Sequence, residues 1–206
     1  MTGPDCISLI RPCTEQDLPL PIYGADEVLL ATEPGKARAC NAAARRSTGT
    51  ILVFVDADTH LEGDIDWYRH RPDREQFWVS KSRCTEPGVW LWTRLGNAFF
   101  NTANKMPLLR RFPWAHGAMI AVRRAAFEAV GGFDEDAPIE DVNLFLRLWL
   151  AGFVHSRSPV SSVQIRHISF PPRRMNRVVD GHSGGYLARP MPLAPDTADS
   201  ASEIPA

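Results

Sequence analysis

Cysteine, net charge and long apolar runs are all scarce in this chain, and each scarcity removes a class of protein. Four cysteines, Cys6, Cys13, Cys40 and Cys84, are scattered over 206 residues. No C-x-x-C pair occurs, so a thiolate metal cluster is not expected, and reduced cysteines in a cytoplasmic protein are the default. The formal net charge is -1, so global charge points to neither nucleic acid nor a membrane surface. No stretch approaches the roughly 18 apolar residues of a membrane span. The opening MTGPDCISLI lacks a basic start and a long apolar core, so no signal peptide is expected. What remains is an ordinary soluble globular composition, 44% hydrophobic and 23% charged, in a length that suits one domain with a sizeable core.

Continuous apolar segments alternate with helical ones. CISLI (6–10), DEVLLAT (26–32) and ILVFV (51–55) read as buried strands. Between the last two, KARACNAAARRS (36–47) is rich in helix formers and is expected to stop at Gly49. REQFWVSKSR (74–83) and GAMIAV (117–122) are further strand candidates. VWLWTRLGNAFFNTANKM (89–106), RRAAFEAVGG (123–132) and EDVNLFLRLWLAGF (140–153) read as helices, the last two closed by glycine. The alternation predicts an α/β fold with a mostly parallel sheet covered on both faces. Residues 1–190 are expected to form one domain. Residues 191–206, with too little apolar content to pack, are expected to be a disordered tail.

Two groups of acids carry the chemistry. Asp56 and Asp58 follow the apolar run Ile51–Val55 directly, where ligands of an open parallel sheet bind. Their spacing puts both on one side of an extended chain. Two like charges so close repel, and a divalent cation, Mg²⁺ or Mn²⁺, would remove the conflict and hold a diphosphate. The bland alternative is a solvated turn with Asp58 capping a following helix. The second group is Asp134, Glu135, Asp136, Glu140 and Asp141. Acids in a first helical turn are favoured by about 0.3–1 kcal/mol, which accounts for one of the last two. A carboxylate on a rigid helix start is also a good general base.

Residues 35–64, GKARACNAAARRSTGTILVFVDADTHLEGD, and 117–153, GAMIAVRRAAFEAVGGFDEDAPIEDVNLFLRLWLAGF, resemble the two core blocks of the family 2 glycosyltransferases of GT-A (Rossmann-like) fold. They stand in the family's order, and the first is most like that of short, soluble bacterial members. The resemblance implies a metal-dependent, inverting transfer of a sugar from a UDP- or GDP-type donor to a hydroxyl acceptor. It implies Asp58 as metal ligand, and Asp56 as a contact to the ribose or, through water, to the metal. Asp141 would be the catalytic base, supported by Glu140. Gly35, Lys36 and Asn41 would shape the nucleotide side, His116 and Gly117 would line the donor-sugar pocket, and Arg147 would pair with an acid nearby. His167 would be a further metal ligand or an ordinary histidine. Arg173 and Arg174, with Arg177, would close over the diphosphate, or form a solvated loop or an anionic lipid contact.

The N-terminal part departs from the pattern. Only residues 13–34 separate Pro12 from Gly35, and DEVLLATEPG lacks the acidic strand end that binds the base. The base-binding half-site is thus expected to be shortened or rebuilt, with Glu15, Asp17 or Glu33 as substitutes. TRLGNAFFNTANKMPLLRRFPW (93–114) is a core helix and loop, or an acceptor platform for a lipid-linked acceptor at the inner membrane face. An inactive relative that keeps the fold and binds a partner is the alternative function. A sugar-phosphate nucleotidyltransferase ranks lower because RPCTEQD has no glycine, and a nucleic-acid module lower still.

Overall fold

The structure is a computed structural model that describes residues 5–12, 23–84, 91–103, 105–106, 112–113 and 117–164. Its strands are β1 Ile7–Pro12, β2 Glu27–Ala31, β3 Ile51–Val55, β4 Thr59–Glu62, β5 Phe77–Cys84, β6 Met119–Arg123 and β7 His155–Gln164. Its helices are α1 Lys36–Arg46, α2 Leu91–Ala103, α3 Arg124–Ala129 and α4 Glu140–Leu150, with a 3-10 turn at Ile65–His70. The strands form one sheet in the order β2-β1-β3-β6-β5-β7-β4. The expected domain limit at residue 190 and the tail 191–206 lie outside the described residues.

The expected α/β layering is present, and the sheet is mixed. β1 pairs in parallel with β2 and β3, and β5 with β7. β6 enters from the loop carrying Gly117 and runs against both β3 and β5, and β4 runs against β7. The parallel expectation therefore describes the β2-β1-β3 half, where α1 forms a crossover, and the β5-β7 pair, while β6 and β4 run against their neighbours.

Burial on both faces explains the unbroken apolar run of β3. Leu52 and Phe54 pack with Ala39, Cys40, Ala43 and Ala44 of α1 and with Leu144, Phe145 and Leu148 of α4. Ile51, Val53 and Val55 face the other way, toward Ile65, Tyr68 and Trp78. The small side chains of α1 let that helix lie close to the sheet. Truncating a fully buried residue such as Leu144 to alanine would cost about 2–5 kcal/mol.

Two local expectations are corrected. Asp58 does not cap a helix: the exposed–buried alternation of Thr59–Glu62 forms β4, which is too short to be seen as periodic in the sequence. Gly49 does not stop α1, which ends at Arg46 with the Ser47 N–H donating to Ala43 and Ala44. Gly49 is instead a close approach of backbones. A Cβ there would lie 2.3 Å from Ser8 Oγ and 2.6 Å from Ser8 N. The carboxylate of Glu27 ties this corner, accepting from Ser8 Oγ, Thr48 N–H and Gly49 N–H. The glycines closing α3 and α4 behave as expected, with left-handed φ at Gly131, Gly132 and Gly152.

Candidate active site

Three element ends meet at one end of the sheet. β3 delivers Asp56, whose N–H donates to Ala118 O just ahead of β6. α1 begins at Lys36, which follows Gly35 at φ 91°, a left-handed conformation that suits glycine. α4 begins at Glu140 and Asp141. The Lys36 ammonium joins them, 2.7 Å from Asp56 Oδ1 and 3.3 Å from Glu140 Oε1. Burial alone would lower that ammonium, but the charges of Asp56, Glu140 and Asp141 outweigh it and hold Lys36 above its ordinary range.

Asp141 lies against Gly117. A Cβ built at Gly117 would come 1.7 Å from Asp141 Oδ2, so any side chain there would displace that carboxylate. The other carboxylate oxygen accepts from the Val142 N–H at 2.7 Å. Burial pushes the Asp141 carboxyl above its ordinary value; Lys36 and that N–H oppose the shift, and Glu140 and Asp56 add to it. Asp56 is raised for the same first reason, with Lys36 opposing. Arranged this way, Asp141 is a carboxylate of increased basicity on a fixed helix start. Beside it, Pro34, Gly35, Lys36, Arg38, Glu135 and Glu140 line an open cleft of about 430 Å³.

Asp58 is the less engaged of the strand-end pair, with Oδ1 3.2 Å from the Thr59 hydroxyl. Among the described residues no three His, Cys, Asp or Glu side chains converge as a metal cage. The pair still fits a hard cation. Mg²⁺ commonly takes one or two carboxylates and completes its shell with water and substrate phosphate.

Other residues singled out from the sequence do different work. Asn41 is buried and clamps the loop after α3: it donates to Phe133 O and Glu135 Oε1 and accepts the Phe133 N–H. It therefore shapes the site from behind. Arg147 has no carboxylate within ion-pair distance among the described residues. It donates to Asn143 Oδ1 and to the carbonyls of Val130 and Gly132, and burial lowers its pKa although Asp134 opposes this. Glu33 is engaged by Arg46 at 3.2 Å. Phe112 of the expected acceptor platform packs at a tilt against Trp149, ring centroids 4.9 Å apart. His116, His167, Arg173, Arg174, Arg177, Glu15 and Asp17 lie outside the described residues.

Arg11 was not singled out from the sequence. It is 4% exposed in β1, and its Nη2 donates to Ala57 O and Thr59 O at 2.6 and 3.2 Å. Its Nε and Nη1 are buried without a partner among the described residues. It fixes the loop that carries Asp56 and Asp58. The available signal was an arginine inside the otherwise uncharged ISLIRP, because a cation in a buried strand needs a reason.

The fold is that of the GT-A glycosyltransferases. A mannosyltransferase from Pyrobaculum calidifontis, solved with GDP-Man and Mn²⁺, superposes with a TM-score of 0.59 at 17% identity over 85% of this chain. The chain spans 61% of that protein's length. Glucosyl-3-phosphoglycerate synthase from Mycobacterium tuberculosis, solved with Mg²⁺ and UDP, gives a TM-score of 0.52 at 13% identity, covering 85% of this chain and 76% of that one. The model of glycosyl transferase family group 2 matches residues 78–178, just under half of the chain. That match contains the second resembling block, 117–153, and not the first. The resemblance to family 2 glycosyltransferases read from the sequence is thereby shown. No curated protein matches the chain in sequence.

Proposed function

We propose that the chain is a glycosyltransferase that moves a hexose from a UDP or GDP donor to a hydroxyl, with inversion at the anomeric carbon. One observation carries this reading: Lys36, Asp56, Glu140 and Asp141 meet at one sheet end, with Asp141 seated on Gly117. Asp141 takes the proton of the acceptor hydroxyl as its oxygen attacks the anomeric carbon. The bond to the diphosphate breaks on the opposite side, so a single displacement inverts the centre. Glu140 holds the Lys36 ammonium, and Gly35 and Lys36 line the cleft on the donor side. A divalent cation, Mn²⁺ or Mg²⁺, would neutralise charge on the leaving diphosphate, and Asp58, Asp56 and, by resemblance, His167 would hold it. The metal and nucleotide complexes of the structural neighbours support the choice of ligands. Arg173 and Arg174 closing over the diphosphate, His116 at the donor sugar, and a cytoplasmic setting belong to the same proposal.

The test is calorimetric titration with UDP, GDP and their sugar conjugates, with Mn²⁺ or with EDTA. Binding of one nucleotide that needs the metal, and that Asp58→Asn abolishes, is the expected result. A folded protein that binds none of them would be a non-catalytic relative of the same fold.

A further inference from the structure

A second cleft, of about 100 Å³, opens between β5, β7 and the end of α2, lined by Ser80, Lys81, Asn101, Lys105, Arg157 and Ser158. It exists because the ladder comes apart there. Val79 pairs with Arg157 and Lys81 with Ser161, so one residue of β5 faces three of β7. Pro159 sits in that excursion and brings no N–H to the ladder. Bulges of this kind re-aim side chains and are common beside functional sites. Ser158 is satisfied: its Oγ accepts from the Val160 N–H and lies 2.8 Å from the Tyr68 hydroxyl. Ser80, across the gap, is 7% exposed and its hydroxyl has no partner among the described residues.

The charge at this cleft has one sign. Lys81, Lys105 and Arg157 are exposed. Among the described residues none of the three has a carboxylate partner, whereas nearby Arg83 is held by Glu62 and Arg123 by Asp5. The walls are fixed to each other. Asn101 of α2 donates to Ser82 O at 2.9 Å and accepts the Ser82 N–H at 3.4 Å. Three unpaired cations, a spare hydroxyl and a rigid gap of this size suit one tetrahedral oxyanion better than a sugar ring.

The register places the cleft relative to the acids. Phe77 and Trp78 pair antiparallel with Val122 and Ala121. β5 therefore runs toward the sheet end where β6 begins beside Gly117 and β3 delivers Asp56. One strand separates β3 from β5, a lateral distance of about 10 Å.

We propose that this cleft binds a phosphate group, and that the phosphate belongs to the acceptor, whose hydroxyl is thereby presented to Asp141. The second half of this inference rests on the transferase reading; the anion site itself does not.

The experiment titrates inorganic phosphate into the full chain, following amide chemical shifts at fixed ionic strength with chloride as control. The wild type should saturate, and Lys81→Gln/Arg157→Gln should bind about tenfold more weakly. Arg83→Gln, outside the cleft, should match the wild type. A response that does not saturate, or an unchanged affinity in the double variant, overturns the site. Mn²⁺-dependent nucleotide binding is measured on the same proteins and should survive in the double variant. If it falls there in parallel, the cleft serves the donor and the acceptor assignment is overturned. If the wild type binds phosphate in this cleft but no nucleotide, the transferase reading fails and the anion site stands.

Discussion

Asp141 is a carboxylate whose charged form the fold disfavours, and this separates its effects on stability and on rate. Its pKa in the folded state is raised. The resulting destabilisation is absent below the unfolded carboxylate pKa, grows as pH rises through the folded value, and is complete above it. Asp141→Asn should therefore raise the thermal midpoint at pH near 8 and lose that gain in acid, as differential scanning calorimetry would show. The same variant should slow transfer by about 10²–10⁴-fold while nucleotide binding persists. Gly117→Ala tests the geometry. Its methyl would stand where Asp141 Oδ2 is now, and a displacement of about 1 Å can cost roughly 10²-fold in rate. A full-rate Gly117→Ala enzyme would show that the base is another residue. At this scale the acids were legible because they stand in two short motifs. Arg11 was not, because an apolar run hides a single charge; Asn41, expected to shape the nucleotide side, is held in place by Phe133 and Glu135, partners that no sequence spacing shows.

Between elements, Lys36 is the only described cation that touches both β3's trailing acid and α4's first turn. A cation at a helix start is disfavoured by about 0.3–1 kcal/mol. Leaving Asp56 and Glu140 facing each other without it would cost more. Lys36→Met should thus lower the unfolding free energy by roughly 1–3 kcal/mol in urea titrations without metal. Added Mn²⁺ should then raise the thermal midpoint more in the variant than in the wild type. An unchanged midpoint in both would mean that the ammonium does not neutralise the acids. The elements were largely legible: β3 matches its expected bounds, and α1 and α4 start where expected. β4 escaped because four residues give too little periodicity. The glycine after α1 was read as a helix stop because a sequence does not show that another backbone passes within contact distance.

Across the whole molecule, the sheet's mixed character was the part the sequence could not reveal. Strand direction depends on where the connecting chain crosses, and β6 runs opposite to both of its neighbours. Ligand linkage should be visible at this scale. A nucleotide at 100 times its dissociation constant stabilises the fold by about 2.7 kcal/mol. The upward shift in midpoint should require Mn²⁺ and vanish in Asp58→Asn. A shift of equal size in EDTA would remove the metal from the proposal. The corner at Glu27, Ser8 and Gly49 stands at the start of the parallel strands, whereas the acids stand at their finish. The fastening of the chain and its chemistry thus occupy opposite poles. The hydrogen bonds of that corner involve none of the acids, so the shape can be inherited whatever becomes of the residues at the acidic pole.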